Sequence, residues 1–122
     1  MKPFEALNEL RPYEINERIR ARAFRGERLT MAVVDLDPDA FLPEHRHENE
    51  QLGFILSGSM SFRIGSDTRE LRAGDTYVIP SNMPHEATVG PDGCTAVDVF
   101  APVRADWEKL PRLDATPSTR WP

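Results

Sequence analysis

Apolar and polar residues alternate with a period of two along most of this chain, as expected for strands that bury one face. From Ile19 to Phe24 arginines alternate with apolar residues, and further β-type runs span Leu29 to Leu36, Leu52 to Leu56, Met60 to Ile64, Thr76 to Ile79, Glu86 to Val89 and Thr95 to Phe100. Turn residues punctuate them at Gly26, Pro38-Asp39, Ser57-Gly58, Gly65-Ser66-Asp67, Ala73-Gly74-Asp75 and Gly90-Pro-Asp-Gly93. A spacing of roughly 8–12 residues between turns is that of a sandwich or barrel of short strands. No middle segment carries the period of a long amphipathic helix. The pattern predicts an all-β, antiparallel domain with a short N-terminal helical turn or arm over the first dozen residues. After Trp107 the chain becomes polar and rich in proline (Pro111, Pro117, Pro122), which predicts a coil or a docked extended tail.

Parity also assigns faces. Arg18, Arg20, Arg22 and Arg25 read as the solvent side of one strand. Leu52, Phe54 and Leu56 lie opposite Gln51, Gly53 and Ile55, so one of these rows faces outward. An outward row of three apolar residues calls for a partner, and the expectation is a homodimer through that face.

All three histidines of the chain fall in two segments, His45-Arg-His47-Glu-Asn-Glu-Gln51 and Gly74 to His85. His45, His47 and Gln51 are separated by even steps and can share a face if the segment is extended, whereas Glu48 and Glu50 break that parity. Neutral imidazole suits zinc, copper, iron and nickel, and a glutamine offers a carbonyl oxygen, so three His and one Gln would form an uncharged shell. Two alternatives remain at this level: His45 and His47 as surface loop residues, and Gln51 as a hydrogen-bonding neighbour of a ligand histidine. Asp98 and Phe100, two apart on an apolar run, share a face, with Val97 and Val99 on the other. Asp98 reads either as a carboxylate near the metal or as a structural acid paired with an arginine such as Arg104. Arg104 reads either as a rim residue reaching inward or as a solvated surface charge.

These segments resemble the paired motifs of the cupins, small jelly-roll β-barrels in which His-x-His, then Glu or Gln, then a distant His bind a metal. The steps His47 to Gln51, Gln51 to Gly58, and Gly74 through Pro80 to His85 follow that pattern. Asn82 stands where Gly is usual and Val89 where many members carry Asn, departures that remove no ligand. The likeness spans about residues 13–107 and implies a cupin jelly-roll over a single domain, 1–122. It also implies a divalent transition metal (Ni, Zn, Fe or Mn) on His45, His47, Gln51 and His85. Gln51 in place of Glu, with the stretch Asp98-Val-Phe-Ala-Pro-Val-Arg104-Ala-Asp-Trp107, resembles the pectin-degradation branch, which converts 4,5-unsaturated uronates to their open-chain keto form. That branch implies a small acidic sugar substrate, with Asp98, Arg104 and Phe100 in the catalytic site. Other metal cupins act as dioxygenases or sugar isomerases, and a ligand-binding or sensing module without catalysis is a third reading.

Composition narrows the field. A chain of 122 residues is long enough for one core. Its formal charge of −5 argues against a nucleic-acid partner. No apolar run approaches the roughly 18 residues of a membrane span, and the N-terminus has no signal-peptide core. The expected location is therefore the cytoplasm. A single cysteine, Cys94, forms no internal disulfide and reads as a small packing residue.

Overall fold

The computed structural model describes residues 2–116. Eight antiparallel strands make up nearly all of the regular structure: β1 (Tyr13–Asn16), β2 (Ile19–Arg25), β3 (Thr30–Leu36), β4 (Phe41–His45), β5 (Glu50–Ile64), β6 (Asp67–Arg72), β7 (Thr76–Ile79) and β8 (His85–Ala101). Single 3-10 turns lie at Leu7–Glu9 and Ala105–Lys109. No described helix is long and apolar enough to cross a membrane.

The two long strands organise the fold. The first part of β5 pairs with β7 and with the second part of β8, whose other edge carries β3, β2 and β1. The second part of β5 pairs with β6 and with the first part of β8, whose other edge carries β4. Each long strand therefore passes from one sheet to the other, and the sheets face each other as a jelly-roll.

The crossing is visible in the register. Gly58 stands opposite Cys94 and Met60 opposite Val89, so the Gly90–Gly93 turn signal is absorbed as an excursion within β8 and does not end the strand. The inward positions of β5 accordingly change phase, from Gln51, Gly53 and Ile55 before the irregularity to Met60 and Phe62 after it. Gly58 is required here: its φ is +77°, and a Cβ would lie 2.0 Å from the Gly93 carbonyl oxygen. Between the sheets Ile19, Ala21, Ala32, Val34, Leu36, Ile55, Phe62, Ile79, Ala96 and Phe100 form the core. On the far side of β5, Leu52, Phe54 and Leu56 are 49%, 40% and 41% exposed, the outward row that strand parity predicts.

One arginine departs from the sequence reading. Arg22 is on the outer face of β2 but is buried, its guanidinium 2.8 Å from Asp35, which also accepts a hydrogen bond from Thr95. The returning chain explains the burial: Pro111 and Leu113 bond back to Glu14 and Pro12, and the Thr116 carbonyl accepts from the Arg22 guanidinium. The C-terminal segment is therefore docked and extended as far as Thr116. Its Pro117 and Pro122 lie outside the described residues.

Candidate metal centre

His45 closes β4 and stands directly opposite His85, the first residue of β8. His47 follows in the β4–β5 loop, so the two early histidines reach the same place from a strand end and a loop, without the single extended strand that the parity argument assumed. Ring centroids are 4.2 Å apart for His45 and His85 and 4.9 Å for His47 and His85. One nitrogen from each of the three rings lies within 4.8 Å of the others, a grouping fit for a metal ion.

The backbone fixes which nitrogens these are. Each Nδ1 meets a carbonyl two residues away: Pro43 at 2.9 Å from His45, Asn49 at 2.9 Å from His47 and Met83 at 2.8 Å from His85. A carbonyl only accepts, so each Nδ1–H donates and each Nε2 keeps its lone pair. The Nε2 of His47 is buried with no hydrogen-bond partner, an orphan that a bound cation would satisfy. Burial, reinforced by the Arg104 charge, lowers the pKa of His47. Burial lowers that of His85 to about 4, with the neighbouring His45 and His47 adding to the effect against the Met83 carbonyl. Unprotonated imidazole nitrogens are what a metal bound by histidines requires.

Gln51 and Asp98 meet beneath the histidines. The Gln51 amide nitrogen donates to Asp98 Oδ1 at 3.0 Å, and the same side chain also acts on His47, raising its pKa against the larger effect of burial. The Tyr77 hydroxyl donates to the same Oδ1 at 2.6 Å. Asp98 is buried, and desolvation raises its pKa to about 6 against the opposing pull of Tyr77, Gln51 and Arg104. No arginine pairs with it among the described residues, so the structural ion pair with Arg104 is not formed.

Arg104 lines the same cavity, with its fork bonded to Asp106 at 3.0 and 2.9 Å. Its guanidinium lies over the rings of Phe100 (4.7 Å) and Trp107 (4.5 Å). Phe100 is fully buried and meets the His47 ring edge-on at 5.8 Å. The cavity is about 370 Å³, bordered by His45, His85, Gln51 and Asp98 at its polar side and by residues such as Leu36 and Met60 at the other.

Three neighbours of the site escaped the sequence reading. Tyr77 looked like one more apolar strand residue, Asp106 sits beside Arg104 only because the chain turns after it, and Asn49 ties the loop down. The Asn49 side chain donates to the Pro102 and Val103 carbonyls while its own carbonyl orients His47. The place of Asn49 between His47 and Gln51 was the available signal.

The opposed pKa shifts set a pH dependence. An Asp98 carboxyl that titrates near 6 when folded and near 3.8 when unfolded holds its proton more tightly in the fold, so its contribution to stability is fully present below 3.8 and is lost as pH rises through about 6. His85 runs the other way: its contribution is present above 6.5 and is lost as pH falls towards 4. The two oppose each other between about pH 4 and 6. In chelator-treated protein, Asp98→Asn should therefore lose stability more steeply than wild type as pH falls through this window, by a difference on the order of 2–3 kcal/mol. Urea unfolding at several pH values measures it, and parallel curves for the two proteins would contradict the assignment.

The model for the family described as "Cupin domain" matches residues 32–100, and the chain belongs to the cupin family. Over 80 residues it is 30% identical to the pectin degradation protein KdgF of Dickeya dadantii (strain 3937), a match covering 65% of this chain and 73% of that protein. The structure of KdgF from Halomonas sp. superposes with a TM-score of 0.79 at 24% identity, covering 87% of this chain and 98% of that one. An RmlC-like cupin from Shewanella frigidimarina NCIMB 400 reaches 0.81 at 21% identity, covering 88% and 96%. At these identities the two solved structures speak for the fold alone.

Proposed function

We propose that this cupin opens and ketonises 4,5-unsaturated uronic acids. The observation that carries the reading is Asp98, a buried carboxylate with a pKa raised to about 6, set in a cavity beside three metal-competent imidazoles. Similarity to a pectin degradation protein supports the substrate class. A divalent ion held by His45, His47 and His85, with the Gln51 oxygen as a fourth donor, would supply Lewis-acid stabilisation of anionic oxygen.

The proton chemistry belongs to Asp98. A cyclic unsaturated uronate is a hemiacetal whose ring oxygen is attached to an alkene carbon. Asp98 takes the proton of the anomeric hydroxyl, the C1 carbonyl forms, and the C1–O5 bond breaks with its electron pair going to O5. The resulting enolate collects a proton at C4 from Asp98 and becomes the 5-keto sugar, so no co-reactant is consumed. Phe100 packs against the sugar ring, and Arg104 receives the substrate carboxylate once it shares its fork with Asp106. Purified, metal-loaded protein mixed with unsaturated galacturonate should abolish the ultraviolet absorbance of the conjugated alkene and produce the open-chain keto acid. A substrate unchanged at high enzyme concentration would refute the reading.

The outward row on β5 supports a homodimer. Leu52 pairs with Val99 of β8 and Val78 of β7, and Val99 pairs with Met31 of β3, so apolar side chains continue across four strands. A homodimer formed through this face buries them. Phe54→Glu would place a charge in a desolvated contact, a cost of several kcal/mol, and should yield a folded monomer by light scattering. Wild type that is monomeric at micromolar concentration would contradict the dimer.

A further inference from the structure

Three residues form one row across the barrel wall: Gly53 on β5 is the register partner of Tyr77 on β7 on one side and of Asp98 on β8 on the other. The middle position has no side chain. A Cβ built on Gly53 would lie 2.3 Å from Asp98 Oδ1 and 2.5 Å from both Cζ and the hydroxyl of Tyr77. Every other residue would thus occupy the place where the two side chains meet. The backbone of Gly53 is not in the left-handed region, so the glycine is there for space and not for conformation. Through that notch the Tyr77 hydroxyl crosses the central strand and donates to Asp98 Oδ1 at 2.6 Å.

The consequence for Asp98 is an asymmetry between its oxygens. Oδ1 accepts from Tyr77 and from Gln51, whereas Oδ2 takes no hydrogen bond from a described side chain. Tyr77 itself is buried, and its ring packs edge-on against Phe62 at 5.1 Å, which holds the hydroxyl in place. We infer that Tyr77 is a positioning residue for the acid and base step: through the Gly53 notch it pins Asp98 Oδ1 and leaves Oδ2 as the oxygen that exchanges protons with the substrate. Gly53 serves the same function by its lack of a side chain. The inference rests on the ketonisation reading for its activity readout, while the positioning of the carboxylate is testable without any substrate.

Tyr77→Phe keeps the ring and removes the donor. In the metal-loaded protein it should lower kcat on unsaturated galacturonate roughly 10- to 100-fold, the range for a residue acting through another. KM and metal content should stay within about two-fold of wild type. Gly53→Ala should lower kcat similarly, and the double variant should be no worse than the worse single one, because both act on one contact. Crystal structures of metal-loaded wild type and Tyr77→Phe provide the second readout, in which the carboxylate of Asp98 should be rotated or displaced in the variant. Wild-type kcat in Tyr77→Phe would overturn the inference, as would an Asp98 carboxylate unmoved in its crystal structure. If wild type ignores unsaturated uronates, the ketonisation reading fails by itself. The crystal comparison then decides the positioning role alone: a displaced carboxylate upholds it and an unmoved one ends it. Should Gly53→Ala fail to fold, the Tyr77→Phe results decide the matter.

Discussion

Asp98→Asn should lower turnover of an unsaturated uronate by roughly 10²- to 10⁴-fold, the usual range for loss of general acid and base work. The substitution keeps size and shape in a buried place, and Asn can still accept the hydrogen bond of Tyr77 through its side-chain oxygen. It can neither take a proton from the anomeric hydroxyl nor return one to C4. Metal content, measured by elemental analysis, and the far-ultraviolet circular dichroism should match wild type. Near wild-type turnover in Asp98→Asn would transfer the proton work away from this carboxylate and end its assigned role.

His47→Ala should deplete the protein of its divalent ion. Of the three imidazoles, His47 has the Nε2 that is buried and without a hydrogen-bond partner, an atom whose desolvation a bound cation would offset. Removing it leaves two histidines and the weaker oxygen of Gln51, an incomplete shell. After reconstitution and desalting, wild type should hold about one ion per chain and the variant little, with affinity reduced at least 10- to 100-fold. Since the imidazole is lost together with its bond to the Asn49 carbonyl, Asn49→Ala is a useful companion: it disturbs the loop that presents His47 while every imidazole is retained. Equal metal content in wild type and His47→Ala would remove His47 from the ligand set.

Much of this architecture was written in short-range pattern. Period-two alternation located most of the strands and put Leu52, Phe54 and Leu56 on one side of β5 with Gln51 on the other, because side-chain direction in a strand is a local property. The three histidines were found from composition and spacing. What the pattern could not contain was pairing. β1, β4 and β6 were not recognised: β6 has a single apolar residue, Leu71, and β4 and β6 owe their strand character largely to neighbours on β8 and β5. The glycine-rich signals at Gly58 and Gly90–Gly93 were read as chain reversals, and the structure uses them to bend two continuous strands. The Tyr77 contact with Asp98 depends on the register of three strands, information that no window of one strand holds. Arg22 was read as solvent-exposed; parity does put it on the outer face, but it is buried there by residues about ninety positions away, at the far end of the chain.

The sharing of β5 and β8 between both sheets bears on how the molecule comes apart. His85 sits at one end of β8 and Asp98 near the other, so the candidate metal ligand and the proposed acid and base ride on a single strand that belongs to both layers. Each layer keeps its own ladders, but β5 and β8 are covalently continuous through both and their inner faces bury each other, so the two layers should open as one unit. Amide protons at the centres of β5 and β8 should exchange only through global opening, whereas those of β1 and β6, at the sheet edges, exchange through local fraying. An ion bound at the His45–His85 end should therefore slow exchange throughout the barrel.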